Sequence, residues 1–446
     1  MNHLIFSRHV IVLASILLGL TACSGQTAQP SPVTPNPTPE SAARPQASPP
    51  ADMSPVTLTF YNLSQTTEDE FNQTIAAPVN RKFPNVSLKF LADSKGSKLA
   101  DAVAAGDVPD IVYYSNGNVS TVYQLKLFMD MQPLVKKYQV DLKKFDPALL
   151  KSVQSLSDKG ELFGFPDNIK LNSLLYNKDI FDKFGIPYPR DSMSWSDTLD
   201  LAKKATRADG GVHYRGFDFK HGYLANVNQL SLPLIDKATG KAKVNTDGWK
   251  LWMTTMKSFY DIEGNQLTKD LMNKDWDLFF KDKVLAMDES QGIFNMLPDA
   301  EVNGLNWDMV TTPFFPQEPH GGIPPFHLIQ ITPAAKNPDW AFQVANYIVS
   351  DEIQTVRTRN GNMTSLNNPQ IRQQFGLDLD VLKGKNIAAF FKNEITRPVD
   401  LHPDDSFARN AMVISFRDYA QGLKDVNTAL RDAEESANQK IAENER

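Results

Sequence analysis

Cysteine is almost missing: a single thiol, Cys23, occurs in 446 residues. One cysteine forms no internal disulfide, so the folded body is held by packing alone. Thiolate zinc sets are excluded with it. The histidines beyond the N-terminal segment, at 213, 221, 320, 327 and 402, fall in no metal-ligand spacing. Excess charge of one sign is also lacking. Lys and Arg number 46 against 52 Asp and Glu, a net charge of -6, and no long basic cluster offsets it, which argues against a nucleic-acid surface. HExxH, GxSxG and phosphate-loop patterns are absent. With 52 acidic residues, a glycosidase-type carboxyl pair cannot be picked out by sequence alone. No catalytic residue, metal or cofactor is therefore expected. Internal repeats are absent too, and beyond residue 22 no apolar run is long enough to cross a bilayer.

The N-terminus explains where the one cysteine sits. His3, Arg8 and His9 precede an apolar run from Val10 to Leu20, and small residues follow. Residues 1–22 read as an export signal rather than as part of a fold. Leu20-Thr21-Ala22-Cys23 resembles a bacterial lipobox, which implies cleavage before Cys23 and lipid attached to it; the alternative is an ordinary secreted protein. Residues 23–55 then hold the modified cysteine and a proline-rich stretch with almost no large apolar residues. Such a composition cannot bury enough surface to order itself and reads as a disordered, semi-stiff tether.

The body, residues 56–446, is larger than one core usually serves, and its Phe, Tyr and Trp supply ample apolar material. "VTLTFYNL" (56–63), "VSLKFLA" (86–92) and "PDIVYYS" (109–115) read as strands separated by helices at 68–79 and 97–106. That order specifies an α/β fold with a parallel sheet, whose ligands sit beyond the carboxyl ends of the strands. "ELFGFPD" and "NSLLYNK" read as further strands, and "KDIFDKFG" as a helix closed by Gly185. Ser194 and Asp197 form a capping box. Strands are expected at 283–290, 306–316 and 326–335. Helices are expected at 247–261, after Asn337-Pro338, and over 425–444, where Ala429, Ala433, Ala437 and Ile441 share one face.

Several stretches, in order and spacing, resemble the family 1 extracellular solute-binding proteins of ABC importers, relatives of maltose-binding protein. They are "GDVPDIVYYSNGNVSTVYQLKLFMDMQPLV" (106–135), "LFGFPDNIKLNSLLYNKDIFDKFGIPYPRDSMSWSDTLDLAKK" (162–204), "KVLAMDESQGIF" (283–294), "GGIPPFHLIQITPAAKNPDWAFQVANYIVSDEIQTVRTRNGNMTS" (321–365) and "ALRDAEESANQKI". The resemblance implies a two-lobed periplasmic-binding-protein-like fold. Its discontinuous lobes would be 56–165 with 309–357 and 166–308 with 358–446. It also implies a monomer anchored outside a bacterial cell, ligand gripped between lobes by a hinge motion, and a membrane permease that reads the closed form.

For a sugar, aromatic faces would cover the rings while amides and carboxylates pair with hydroxyls. From the first lobe the candidates are Asn62, Gln65, Tyr114, Ser115, Asn116 and Asn118, at strand ends or just beyond. The competing reading is turn chemistry for the amides and core packing for Tyr114. From the second lobe they are Asp167 and Asn168, alternatively a capped turn, and His221 and Tyr223 in an aromatic-polar stretch. Glu289 and its neighbour Asp288 are placed to take hydroxyls or a cation. Phe294 and Phe407 fall where the resemblance implies a stacking ring. The solute is expected to be a mono- or oligosaccharide, with peptide, polyamine or anion binding as alternatives. A secreted polysaccharide hydrolase and a surface structural or sensory protein are the rival classes.

Overall fold

The structure is a computed structural model that describes residue 50 and residues 52–444 apart from 65, 95–97, 223–228, 292–295, 319–324 and 393–399. The chain divides into two units, Met1–Pro45 and Gln46–Arg446. The first unit lies outside the described residues and contains Cys23 and the stretch that reads as an export signal. Gln65, Tyr223 and Phe294 also lie outside the described residues.

The second unit runs through β1 (Val56–Asn62), β2 (Val86–Ala92), β3 (Ile111–Ser115), α1 (Val119–Gln124), α2 (Pro147–Gln154), β4 (Phe165–Ile169), β5 (Asn172–Asn177), α3 (Trp195–Ala205) and β6 (Asp218–Phe219). It continues through α4 (Asp247–Tyr260), β7 (Met287–Gln291), β8 (Trp307–Val310), β9 (Phe326–Ile331), α5 (Pro338–Ile348), α6 (Asp351–Arg359), β10 (Met363–Thr364), α7 (Asp405–Ala420) and α8 (Val426–Asn444). The strands form two main sheets, of order β10–β4–β9–β3–β1–β2 and β8–β5–β7–β6. In the first, β1 runs parallel to β2 and β3, and β9 runs antiparallel to β3 and β4. In the second, β5 is antiparallel to β7 and β8, and β7 is parallel to β6. Two sheets wrapped by helices define an α/β fold, as the strand–helix order predicts, with the two lobes that the resemblance implies; both sheets are mixed rather than purely parallel.

Local chemistry sets these elements. Leu58 and Phe60 of β1 point into the first core on alternate residues. The Ser194–Asp197 capping box forms in both directions, with Asp197 Oδ2 accepting from the Ser194 amide at 2.9 Å and Ser194 Oγ accepting from the Asp197 amide at 3.1 Å. Gly185 ends its helix at φ 63, a left-handed turn that suits a residue without Cβ. On α8 the small residues Ala429, Ala433 and Ala437 are buried with Ile441. They bring α8 close to α7, while Glu434 Oε2 and Asn438 Oδ1 accept backbone N–H bonds from Val244, Asn245 and Ala242.

Ladder pairing moves the lobe limits away from those the motif spacing implies. Residues 166–169 and 363–364 pair in the first sheet, and 309–310 pair in the second. The first crossing is thus only Lys170–Leu171, the second lies within 311–325, and the third follows Thr364. The strands expected at 306–316 and 326–335 stop at Val310 and Ile331, ahead of Pro313 and Pro333, which have no N–H to add to a ladder. One hydrophobic cluster packs the first sheet and continues through Leu278, Phe279, Phe280, Trp307 and Met309 onto one face of the second. The other covers the opposite face of the second sheet with Trp195, Trp252, Phe259, Met412 and Phe416.

A buried polar network ties the first lobe together beneath the crossings. Asp167 and Arg357, 0% and 1% exposed, meet at 2.5 Å. Asp167 Oδ2 also accepts from Tyr113 Oη at 2.7 Å and Asn168 Nδ2 at 3.0 Å, and its Oδ1 accepts from Gln354 Nε2 at 2.8 Å. Gln354 in turn accepts from Thr364 Oγ1 at 2.7 Å, and His327 Nδ1 meets Asn168 Oδ1 at 2.9 Å. Strands β3, β4, β9 and β10 and helix α6 therefore share one set of bonds. Breaking a buried pair from one side strands the partner's charge, at a cost of about 3–5 kcal/mol. Asp167→Ala should lower unfolding free energy by about that amount in urea titrations. A loss of under ~1 kcal/mol would show that the network contributes little.

Candidate functional site between the sheet edges

The topology brings two strand-end edges to one place. Because β9 is antiparallel to both β3 and β4, strands β1, β3 and β4 all run the same way, ending at Asn62, Ser115 and Ile169. Across the two residues of the first crossing, β5 begins at Asn172, which pairs with Gln291 at the end of β7. Strand β6, parallel to β7, ends on the same edge and leads to His221. The antiparallel β8 also ends there and leads to Thr311 and Thr312. Carboxyl ends of open α/β sheets are where ligands settle, because loops there vary without disturbing the ladders.

Only some of the predicted side chains present themselves at these edges. Asn62 is buried and uses its whole amide on its own loop. Its Oδ1 accepts from the Ser64 amide and hydroxyl at 3.1 and 2.6 Å, and its Nδ2 donates to the Ser64 and Thr66 carbonyls at 3.2 and 2.8 Å. Tyr114 is a core residue whose hydroxyl donates to Gln330 Oε1 at 2.7 Å. Asp167 and Asn168 belong to the buried network and lie in the first sheet rather than the second lobe. Ser115, the last residue of β3, and Asn116 and Asn118 just beyond it are half-buried. Ser115 Oγ donates to Asn118 Oδ1 at 2.7 Å, and Asn116 Oδ1 accepts from the Phe326 amide at 3.4 Å.

Phe407, half-buried on the first turn of α7, packs on the second core beside this loop. The Ser406 amide donates to Ser120 Oγ at 3.2 Å, and Arg409 Nη2 donates to the Gly117 carbonyl at 2.7 Å. The structure therefore brings the first turn of α7, on which Phe407 lies, against the segment 117–120 of the other lobe. Ser120, Ser406 and Arg409 were not singled out by sequence. Ser406 and Arg409 stand either side of Phe407 in "PDDSFARNAM", and their small-polar and cationic character there is the only local signal.

His221 is buried and chemically occupied. Its Nδ1 accepts from Arg417 Nε at 3.4 Å, so Nε2 carries the proton toward the Tyr260 hydroxyl at 2.6 Å. Tyr260 donates onward to Asp218 Oδ1 at 2.7 Å. Burial, with Arg417 and Lys220 nearby, pushes the His221 imidazole down to about 3, so it stays neutral. Asp288 is fully buried against Asp275 and Asp218, and burial with those like charges raises its carboxyl well above the usual range. Among the described residues, no cluster of histidine and acidic side chains fits a metal ion.

Glu289 is a buried carboxyl whose Oε1 accepts from Thr312 Oγ1 at 3.1 Å, and burial pushes it up to about 8. The folded chain therefore keeps a proton that the unfolded chain releases near 4.5. The associated stability is complete below that point and is lost as pH rises toward about 8. Asp275, raised to about 6, acts with the same sign. Glu289→Gln should flatten the decline in melting temperature between about pH 4.5 and pH 8. Superimposable pH profiles for the two chains would show that Glu289 is ionised in the fold.

The profile of the bacterial extracellular solute-binding proteins matches residues 65–355, well over half of the chain. The chain belongs to that family, one of binding proteins rather than enzymes. Among curated relatives, the melibiose/raffinose/stachyose-binding protein MelE of Bacillus subtilis is 24% identical over 251 residues, 54% of this chain and 51% of that protein. The chain thus spans about half the length of that relative. Among solved structures, an ABC substrate-binding protein from Listeria monocytogenes in complex with cycloalternan is similar with a TM-score of 0.72 at 18% identity, covering 87% of this chain and 100% of that one. The sugar-binding protein MalE of Xanthomonas citri gives 0.68 at 17% identity, covering 87% and 98%. The maltose/maltodextrin-binding domain MalE of Bdellovibrio bacteriovorus bound to maltotriose gives 0.62 at 17%, covering 87% and 100%. At these identities the likeness establishes the fold.

Proposed function

We propose that the chain is the extracytoplasmic substrate-binding lipoprotein of a bacterial ABC importer. It captures a mono- or oligosaccharide between its lobes and delivers it to the transmembrane permease. The observation that carries this reading is the approach of the start of α7, which carries Phe407, to the polar segment 115–120 of the other lobe through the Ser406–Ser120 and Arg409–Gly117 bonds. A ring of that kind covers the apolar face of a sugar, and half-exposed amides pair with its hydroxyls. Sugar recognition by MelE and by the similar solved structures supports the same solute class. Glu289 and the rings of Tyr223 and Phe294 remain candidates for the second-lobe wall, as does Gln65 for the first. Lipid on Cys23 and the tether through residue 55 would hold the body near the permease; one acyl chain binds a membrane marginally, and several hold it firmly.

A ligand that binds only the folded state raises apparent stability in proportion to its concentration over Kd. In a thermal-shift panel of mono- and oligosaccharides, peptides, polyamines and small anions, at least one carbohydrate should raise the melting temperature. Phe407→Ala should weaken that carbohydrate by about tenfold or more, the loss of a stacked ring at a desolvated contact. Shifts with peptides or polyamines alone would overturn the carbohydrate assignment.

A further inference from the structure

We infer that Arg409 and Ser120 latch the two lobes across the mouth of the site, holding part of the solute-free population closed. The inference rests on reading the space between the strand-end edges as the solute site, and it names how that site is regulated. Helix α7 belongs to the second core through Ala408, Ala411, Met412 and Phe416. Helix α1, which follows the loop, belongs to the first through Val119 and Val122. Between them run two direct bonds, Arg409 Nη2 to the Gly117 carbonyl at 2.7 Å and the Ser406 amide to Ser120 Oγ at 3.2 Å.

The guanidinium packs directly on the loop: a Cβ at 117 would lie 3.4 Å from both Arg409 Nη1 and Ser115 Oγ, at ordinary contact distance. The carboxyl of Asp405, one turn earlier on α7, lies near Arg409, and burial raises it to about 7. Another bridge between the lobes, Lys237 Nζ to Asp158 Oδ1 at 2.9 Å, is largely exposed, with side chains 43% and 82% accessible. Water and salt weaken such a pair to little effect.

The Arg409 contact has the character of a latch because it breaks without stranding a charge. Burial depresses the Arg409 guanidinium, but Gly117 and Arg409 each keep some access to water in the closed form, so on opening the carbonyl and the guanidinium exchange one another for water. The Asp167–Arg357 pair, fully buried, cannot do this. A hydrogen bond from a charged donor has a net value larger than that of a neutral one, enough to shift a two-state ratio by about tenfold. Arg409 is thus a positioning residue that acts on the lobe equilibrium rather than on the solute.

Single-molecule energy transfer without any solute tests this directly. In a full chain with Cys23 replaced by serine, dyes are attached through Lys89→Cys on β2 and Lys440→Cys on α8, both exposed positions in different lobes. Arg409→Ala should move the closed-to-open ratio roughly tenfold toward open, and Ser120→Ala a few-fold in the same direction. Circular dichroism confirms native folding of each, and Ser120→Ala carries the test if Arg409→Ala fails to fold. Distance distributions of folded variants that superimpose on the parent would overturn the latch. Because no solute is added, that result stands apart from any failure of the carbohydrate reading.

Discussion

The ion pair of Asp167 and Arg357 is the constraint on which the rest of this architecture depends. Both side chains are withdrawn from water, and every oxygen of the carboxylate accepts a hydrogen bond. The pair joins β4, whose next residues are the first crossing, to α6, whose next strand β10 precedes the third. Tyr113 adds β3, and Asn168 adds β9 through His327. A carboxylate and a guanidinium in that setting are stable only when both remain in place, so the strand ends behave as one body. Lobes that turn about short crossings need such an edge, because rigid-body closure transmits through elements that do not themselves deform.

The second lobe solves the problem of buried polarity differently. Asp218, Asp288 and Glu289 lie under the second sheet edge, and Arg215 spends its guanidinium on the carbonyls of Asn265 and Gln266. Burial favours the neutral acids there, and the neutral His221 links Arg417 to the Tyr260–Asp218 pair. One lobe is therefore fixed by a charged pair and the other by protonated and neutral groups. The raised acids make the second less stable toward alkaline pH, while the neutral imidazoles of His327 and His221 make both lobes less stable as pH falls below the free imidazole range. An extracytoplasmic body meets such changes directly, without a cytosolic buffer.

Much of the fold was legible because hydrophobic period, caps and breakers act locally. The alternation in β1, the Ser194–Asp197 box, the Gly185 stop and the alanine face of α8 each depend on a few neighbouring residues. The limits of the lobes were not legible, because β4 and β10 enter the first sheet through partners far away in sequence. The site was legible at the level of position and less so of role. Strand-end logic placed Ser115, Asn116 and Asn118 at the half-buried end of β3, but it could not separate them from Asn62, whose amide is consumed by its own loop. Tyr114 and Asp167 point inward because of strand pleat and a partner nearly two hundred residues on, which no local pattern encodes. Arg409 and Ser120 escaped notice for the same reason, since each matters only through a residue of the other lobe.

The central claim is that a solute is held simultaneously by the loop after β3 and by the start of α7. Hydrogen–deuterium exchange of the chain with and without a saturating oligosaccharide addresses it most directly. The account predicts slowed exchange in peptides covering 115–120 and 404–409 together, while the already protected strands around Asp167 change little. Protection confined to one lobe, or located away from both segments, would contradict it.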